Sequence, residues 1–278
     1  MMTYAAAATW LDEFANVEQK LDPTAWSGVK LERVERLMEL LGHPERGGRT
    51  IHIAGSKGKG SVAALVDSAL RAAGLSCGLY TSPPLVSARE RIRLDGAPIP
   101  RAMVADLVSR RLRPAAEAYR RDPVHGPLTF FDLHTALAFC WLEEAQAAWR
   151  VLEVGLGGRL DATNVCQPEV CAIVAICLEH TALGGATIDS IAGEKAGIIK
   201  PGVPVVTAPQ QPAAAAVLAA TSAARGASLH PATGVEAVPG GAFLEAGARL
   251  LCPWGHLRRP NGGGEGCLAL FCAHPVVE

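Results

Sequence analysis

The sequence predicts an α/β protein: a mostly parallel sheet flanked by helices on both faces. Three observations carry that expectation. Short apolar, β-like runs alternate with helical periods through residues 29–208. A glycine-rich heptapeptide, Gly55-Ser-Lys-Gly-Lys-Gly-Ser61, joins one such run to an Ala/Leu-rich helical stretch. Of the 278 residues, 49% are apolar and 19% charged, a balance that suits an ordinary globular chain with a sizeable core.

The elements follow in order. Residues 9–22 and 29–41 have helical spacing. In the second, Val29, Leu31, Val34, Leu37, Met38 and Leu41 line one face with charges opposite, and Gly42 and Pro44 stop it. Residues 50–54 read as a strand, 61–73 as a helix, and 77–81 as a second strand after Gly74, which together make a βαβ unit. Residues 102–121 and 131–148 read as helices, 149–154 and 170–177 as buried strands, 188–199 as a helix and 203–207 as a strand. An Ala-rich stretch, 212–227, suits one more helix. From residue 231 glycine and proline rise and periodicity fades, and 252–278 shows no pattern. No internal repeat is visible.

Bulk properties narrow the partners. A net charge of −1 suggests no nucleic-acid surface, so an anion site must come from local geometry. No basic N-terminal region precedes an apolar run, and no uncharged run reaches membrane-spanning length. The 8 cysteines include no Cys-x-x-Cys pair, which argues against zinc. Cys171 and Cys177, inside VCAIVAICL, read as buried thiols suited to a reducing cytoplasm.

The heptapeptide carries the chemistry. Backbone N–H groups of a tight glycine turn at a helix N-terminus form an anion cradle, here Gly55, Ser56, Lys57, Gly58, Lys59, Gly60 and Ser61. Lys59 can reach terminal phosphates, and the Ser61 hydroxyl can ligate Mg²⁺. The common phosphate-loop spacing needs a glycine at position 53, where this chain has Ile53, so the loop is a shorter variant.

Four segments then stand in one order: HIAGSKGKGSV, LYTSPPLVSARERIRLDG, LEVGLGGRLDATNV and EHTALGGATIDSIAGEKAGIIKPGVPVV. Together they resemble the successive signatures of the folylpolyglutamate synthase/dihydrofolate synthase family, within the Mur ligase superfamily, over roughly residues 29–208. The resemblance implies a Mur-ligase-like ATP-binding domain over residues 1–250, followed by an irregular tail at 251–278. It implies an enzyme that joins L-glutamate to a carboxylate of a folate or of dihydropteroate, using ATP and Mg²⁺ through an acyl phosphate. By the same resemblance Lys59 acts on the phosphates, and Ser61, Ser82, Glu153 and His180 hold metal. Asp161 lies near the pterin substrate, and Lys195 is a carbamylated, metal-bridging group. A cytoplasmic monomer with small-molecule partners is implied.

Without the resemblance, Glu153 also suits an ion pair with Arg159, His180 a satisfied loop histidine, and Lys195 a helix-surface lysine. The chain departs from the family pattern at Pro84 in place of His, Glu179 in place of Asp, Asp132 in place of Glu and Lys57 in place of Asn. The family's second domain, which completes the adenine, ribose and glutamate sites, has no counterpart in the sequence. Three readings stay open: a folate-pathway ligase that needs that domain supplied, another Mur-type ligase, and a nucleotide-binding remnant without ligase activity.

Overall fold

A computed structural model describes residues 2–15, 30–121, 126–178 and 187–232. Within them an eight-stranded sheet runs in the order β4-β3-β2-β5-β1-β6-β7-β8. Its strands are β1 (Arg49–Ala54), β2 (Cys77–Tyr80), β3 (Ile92–Leu94), β4 (Ala97–Pro98), β5 (Trp149–Glu153), β6 (Val170–Ile173), β7 (Val205–Thr207) and β8 (Leu229–Pro231). β2, β5, β1, β6, β7 and β8 pair in parallel, while β3 pairs antiparallel with both β2 and β4 at one edge. The expected mostly parallel α/β architecture is present.

The central strands are buried on both faces because both faces are covered. Ile51 and Ile53 of β1 and Val151 of β5 pack with Val62, Val66 and Leu70 of helix α3 (Lys59–Ala72). Alternate residues point the other way. There Leu152 and Tyr80 meet α6 (Phe130–Glu144), and Cys171 and Ile173 meet α7 (Ile188–Ala196) and α8 (Pro212–Ala224). The first cluster on this side also holds α1 (Tyr4–Asp12), α2 (Glu32–Leu40), α4 (Arg101–Leu107) and α5 (Arg113–Tyr119).

The strand order positions the site. The chain leaves β1 toward β2, yet β5 lies between them and β6 lies on the other side of β1. The C-terminal ends of β5, β1 and β6 therefore open onto one crevice, where a parallel sheet presents ligand-binding groups.

Several boundaries differ from the sequence expectation. The first helix begins at Tyr4, with the Thr3 hydroxyl capping Ala6 N–H at 3.2 Å, and ends at Asp12. Its alanine run has little periodicity to mark the start. The helix expected over 102–121 is present as one continuous helical stretch over 101–119, with a wider π turn at Val108–Leu112. The apolar run 170–177 is strand only to Ile173, because Val174–Cys177 leaves the sheet to meet the phosphate loop. β3, β4 and β8 are two or three residues each, too short for a period-2 pattern. Glu179, His180 and the expected tail 251–278 lie outside the described residues.

Candidate active site

Residues 55–61 follow β1 directly, and Lys59 is the first residue of α3. Gly58 precedes the helix with φ +88°, a left-handed conformation that glycine adopts without steric penalty. The first turn of α3 thereby presents unbonded backbone N–H groups where the loop curls, which is the physical basis of a phosphate cradle. Ser61 is exposed there and Lys57 points to solvent. Lys59 is half-buried, with Nζ 3.3 Å from the Ser56 carbonyl, close enough to hold the ammonium over the turn.

The loop is anchored from behind. Ser56 N–H donates to the Ala175 carbonyl at 2.9 Å, and its hydroxyl bonds both Cys177 N–H (3.1 Å) and the Cys177 carbonyl (3.0 Å). Gly55 lies so close to Val174 that an added Cβ would sit 2.1 Å from Val174 Cγ2. Lys195, on α7, is buried and donates from Nζ to the Gly55 carbonyl at 2.8 Å. It is therefore not a surface lysine: it ties α7 to the start of the phosphate loop.

Glu153 ends β5 and is 4% exposed. Its Oε2 accepts the Ser82 N–H at 3.0 Å, and a Cβ on Gly60 would lie 3.3 Å from the same oxygen. The carboxylate thus faces the turn before Ser61. Arg159, its alternative partner, pairs instead with Glu194 at 2.9 Å. Glu153 at the end of β5 and the Ser82 amide meet beside Gly60, the residue before Ser61 in the first turn of α3. Among the described residues no group of three or more His, Cys, Asp or Glu side chains converges on a metal. The donors available here are hydroxyl and carboxylate oxygens, a hard set that suits Mg²⁺ rather than a soft transition metal.

No protein-family model matches the chain. Individual relatives do. The dihydrofolate synthase/folylpolyglutamate synthase of Bacillus subtilis is 43% identical over 223 residues, covering 77% of this chain and 51% of that one. The folylpolyglutamate synthase of Lacticaseibacillus casei is 43% identical over 194 residues, covering 70% and 45%. Among solved structures, a folylpolyglutamate synthase–AMPPCP–folate complex superposes with a TM-score of 0.76 at 39% identity, covering 83% of this chain and 54% of that one. The Thermotoga maritima folylpolyglutamate synthase gives 0.71 at 35% identity, covering 82% and 49%. The chain belongs to the folylpolyglutamate/dihydrofolate synthase family. It spans about half the length of the curated relatives it matches.

Asp161, which the family resemblance sets near the pterin, is buried and shapes the loop after Glu153. Its Oδ2 accepts Gly155 and Leu156 N–H, both at 3.0 Å. Its Oδ1 accepts Thr163 N–H at 3.0 Å and the Thr163 hydroxyl. Thr163 has spent its only proton on Asp161, so the His52 Nε2 that lies 2.8 Å from the same hydroxyl must be the donor. His52 then carries its proton on Nε2, and Nδ1 is the acceptor left without a hydrogen-bond partner. Burial, helped by the Lys200 charge, lowers the His52 pKa to about 3, so the ring is neutral.

Sequence reasoning passed over several residues that build this region. His52 sits in an apolar strand and drew no attention. Gln210 stitches the β6 end through Ile176 N–H (3.1 Å), the Val174 carbonyl (3.0 Å) and the Thr207 hydroxyl (3.1 Å). Arg33, on the apolar face of α2, makes a buried two-pronged pair with Asp132 at 2.7 and 3.1 Å. Glu90, eight residues beyond Ser82, organises the Ser82 loop. An arginine on an apolar helical stripe was the one visible signal among these.

Proposed function

We propose that this chain forms the nucleotide-binding part of an ATP-dependent acid–amino-acid ligase. The enzyme joins L-glutamate to a carboxylate of a folate or of dihydropteroate. The observation that carries the reading is the meeting of the short phosphate loop, held from behind by Lys195, with the buried Glu153 carboxylate in front of it.

In this reading the loop amides and the Lys59 ammonium bind and orient the triphosphate. Ser61 and Glu153 hold Mg²⁺ beside it, with the Ser82 loop close by. When bound, the ion neutralises phosphate charge. The acceptor carboxylate oxygen attacks the γ-phosphorus and ADP departs, which leaves an acyl phosphate. The glutamate amine attacks the carbonyl carbon, loses a proton, and inorganic phosphate departs with the broken C–O bond. Both steps rest on positioning and charge neutralisation rather than on a protein nucleophile. Lys195 keeps the loop in place through Gly55; as a carbamate its nitrogen would retain one N–H for that carbonyl. His180 is assigned to a second metal by family resemblance alone. Asp161 acts by setting the Gly155–Leu156 backbone, beside which the pterin would lie.

The chain is proposed to work as a monomer in the cytoplasm, without nucleic-acid or membrane partners. The net charge of −1 suits the lack of a nucleic-acid partner, and among the described residues no helix is long and apolar enough to cross a membrane.

Calorimetry with ATP and Mg²⁺, followed by glutamate-dependent phosphate release with dihydropteroate or a reduced folate, tests the reading. Binding with release is expected once the remaining half of a family member is supplied. Lys59→Ala should weaken ATP binding by at least about tenfold, since a hydrogen-bonded charge contact is worth about 1.5–3 kcal/mol. Unchanged affinity would refute the role given to the loop.

A further inference from the structure

The Ser82 loop is held by one side chain to which the family resemblance gave no role. Glu90 Oε2 accepts the N–H groups of Leu85 (3.1 Å) and Val86 (3.2 Å), and Oε1 accepts that of Ser87 (3.1 Å). The Ser87 hydroxyl answers by accepting Arg89 N–H at 3.4 Å. One carboxylate thus gathers three consecutive amides. The far end of the loop is fixed where Arg89 donates to the Ile99 carbonyl at 2.9 Å. The near end is Ser82, whose N–H meets Glu153 Oε2 at 3.0 Å.

The clamp holds a conformation the side chains alone would not choose. Leu85 and Val86 stand 92% and 93% exposed, so apolar burial does not shape this turn. What holds it is three dipoles aimed at a formal negative charge. The Val86, Leu85 and Ser87 amides, with Arg93 nearby, keep the Glu90 carboxyl below the ordinary carboxylate range.

We infer that Glu90 is a positioning residue for metal-assisted nucleotide binding. By fixing residues 85–87 it fixes the Ser82 amide, and the Ser82 amide orients the Glu153 carboxylate. Glu90 itself touches neither nucleotide nor metal. The inference rests on the proposed ATP·Mg²⁺ site. It adds a residue whose effect runs entirely through Glu153, so its signature is confined to the metal-dependent part of binding.

Partners that orient a metal-binding carboxylate change metal affinity by about 10–100-fold when removed. Glu90 acts one bond further out, so an effect near the lower bound, about tenfold, is expected. The experiment measures ATP affinity of the full chain in excess Mg²⁺ and in EDTA, for the native protein, Glu90→Gln and Glu90→Asp. Glu90→Gln replaces one acceptor oxygen with an NH₂ that faces amide donors. Glu90→Asp keeps the charge and should recover part of the loss.

The expected result is a Mg²⁺-dependent gain in affinity that falls about tenfold in Glu90→Gln, with affinity in EDTA unchanged. Faster amide hydrogen exchange confined to residues 82–90 should accompany it. Equal losses with and without Mg²⁺ would mean general loosening and would overturn the inference. So would a Mg²⁺ gain retained within twofold. A native chain showing no Mg²⁺-dependent ATP binding would instead remove the proposed site itself, and the exchange measurement would still report whether Glu90 holds the loop.

Discussion

Gly55→Ala probes the packing that seats the phosphate loop. The new Cβ would meet Val174 Cγ2 at 2.1 Å and the Val174 backbone carbon at 3.2 Å, at a φ of +148°. The first contact cannot survive, and Val174 is itself buried at 6% exposure with little room to turn away. Overpacking of this kind costs about 1–3 kcal/mol. Holding a non-glycine residue at that φ costs about 1–3 kcal/mol more. The sum, about 2–6 kcal/mol, corresponds to a melting temperature lower by roughly 5–20 °C in a domain of this size. A double-mutant cycle with Val174→Ala separates the two causes, because it removes Cγ2 and leaves the backbone strain. Urea denaturation of the four proteins, followed by circular dichroism, should give a coupling of about 1–3 kcal/mol, the overpacking share. A Gly55→Ala cost under about 1 kcal/mol, or a coupling under about 0.5 kcal/mol, would refute the claim that Val174 seats the loop by contact.

Two further outcomes follow from buried charge and buried imidazole. Asp132→Ala leaves Arg33, 7% exposed at its side chain, without its partner, and also removes the Asp132 carboxylate that accepts Thr129 N–H at 2.8 Å. Breaking a buried pair costs about 3–5 kcal/mol; urea unfolding checks it, and a loss below about 1 kcal/mol contradicts the burial. His134 packs against Phe130 with ring centroids 4.1 Å apart, and burial, with the Arg91 charge, lowers its pKa to about 3 from the ordinary imidazole value of 6.5. Between those values the unfolded chain binds the extra proton, so the stability His134 contributes is present above pH 6.5 and is lost as pH falls toward 3. The slope is about 1.4 kcal/mol per pH unit. His134→Leu should flatten the pH 6.5–4 limb by that amount, and parallel native and variant curves would contradict the assignment.

Much of the frame was legible because local rules and tertiary packing agree. β1, β5 and β6 are apolar runs in sequence and are covered on both faces in the fold. Gly58 before Lys59 marks a turn into a helix N-terminus, and the structure bends there in the left-handed conformation only glycine takes easily. Helix ends were less legible. The Val108–Leu112 widening and the early start at Tyr4 leave no mark in periodicity. The edge hairpin is made by strands too short to show alternation.

The sequence by itself determined the parallel α/β class, the strand–loop–helix that makes an anion cradle, and the order of family signatures. These are properties of neighbouring residues, where spacing of 2 or 3.6 and glycine placement act over a few positions. Only the tertiary structure decided which distant side chains face the cradle. It brings Lys195 to Gly55 across 140 positions, Ser56 to Cys177 across 121 and His52 to Thr163 across 111. It also turned Arg159 to Glu194 and left Glu153 to meet the Ser82 amide. Such meetings are set by the strand order, which inserts β5 between β1 and β2, and no local pattern encodes that order.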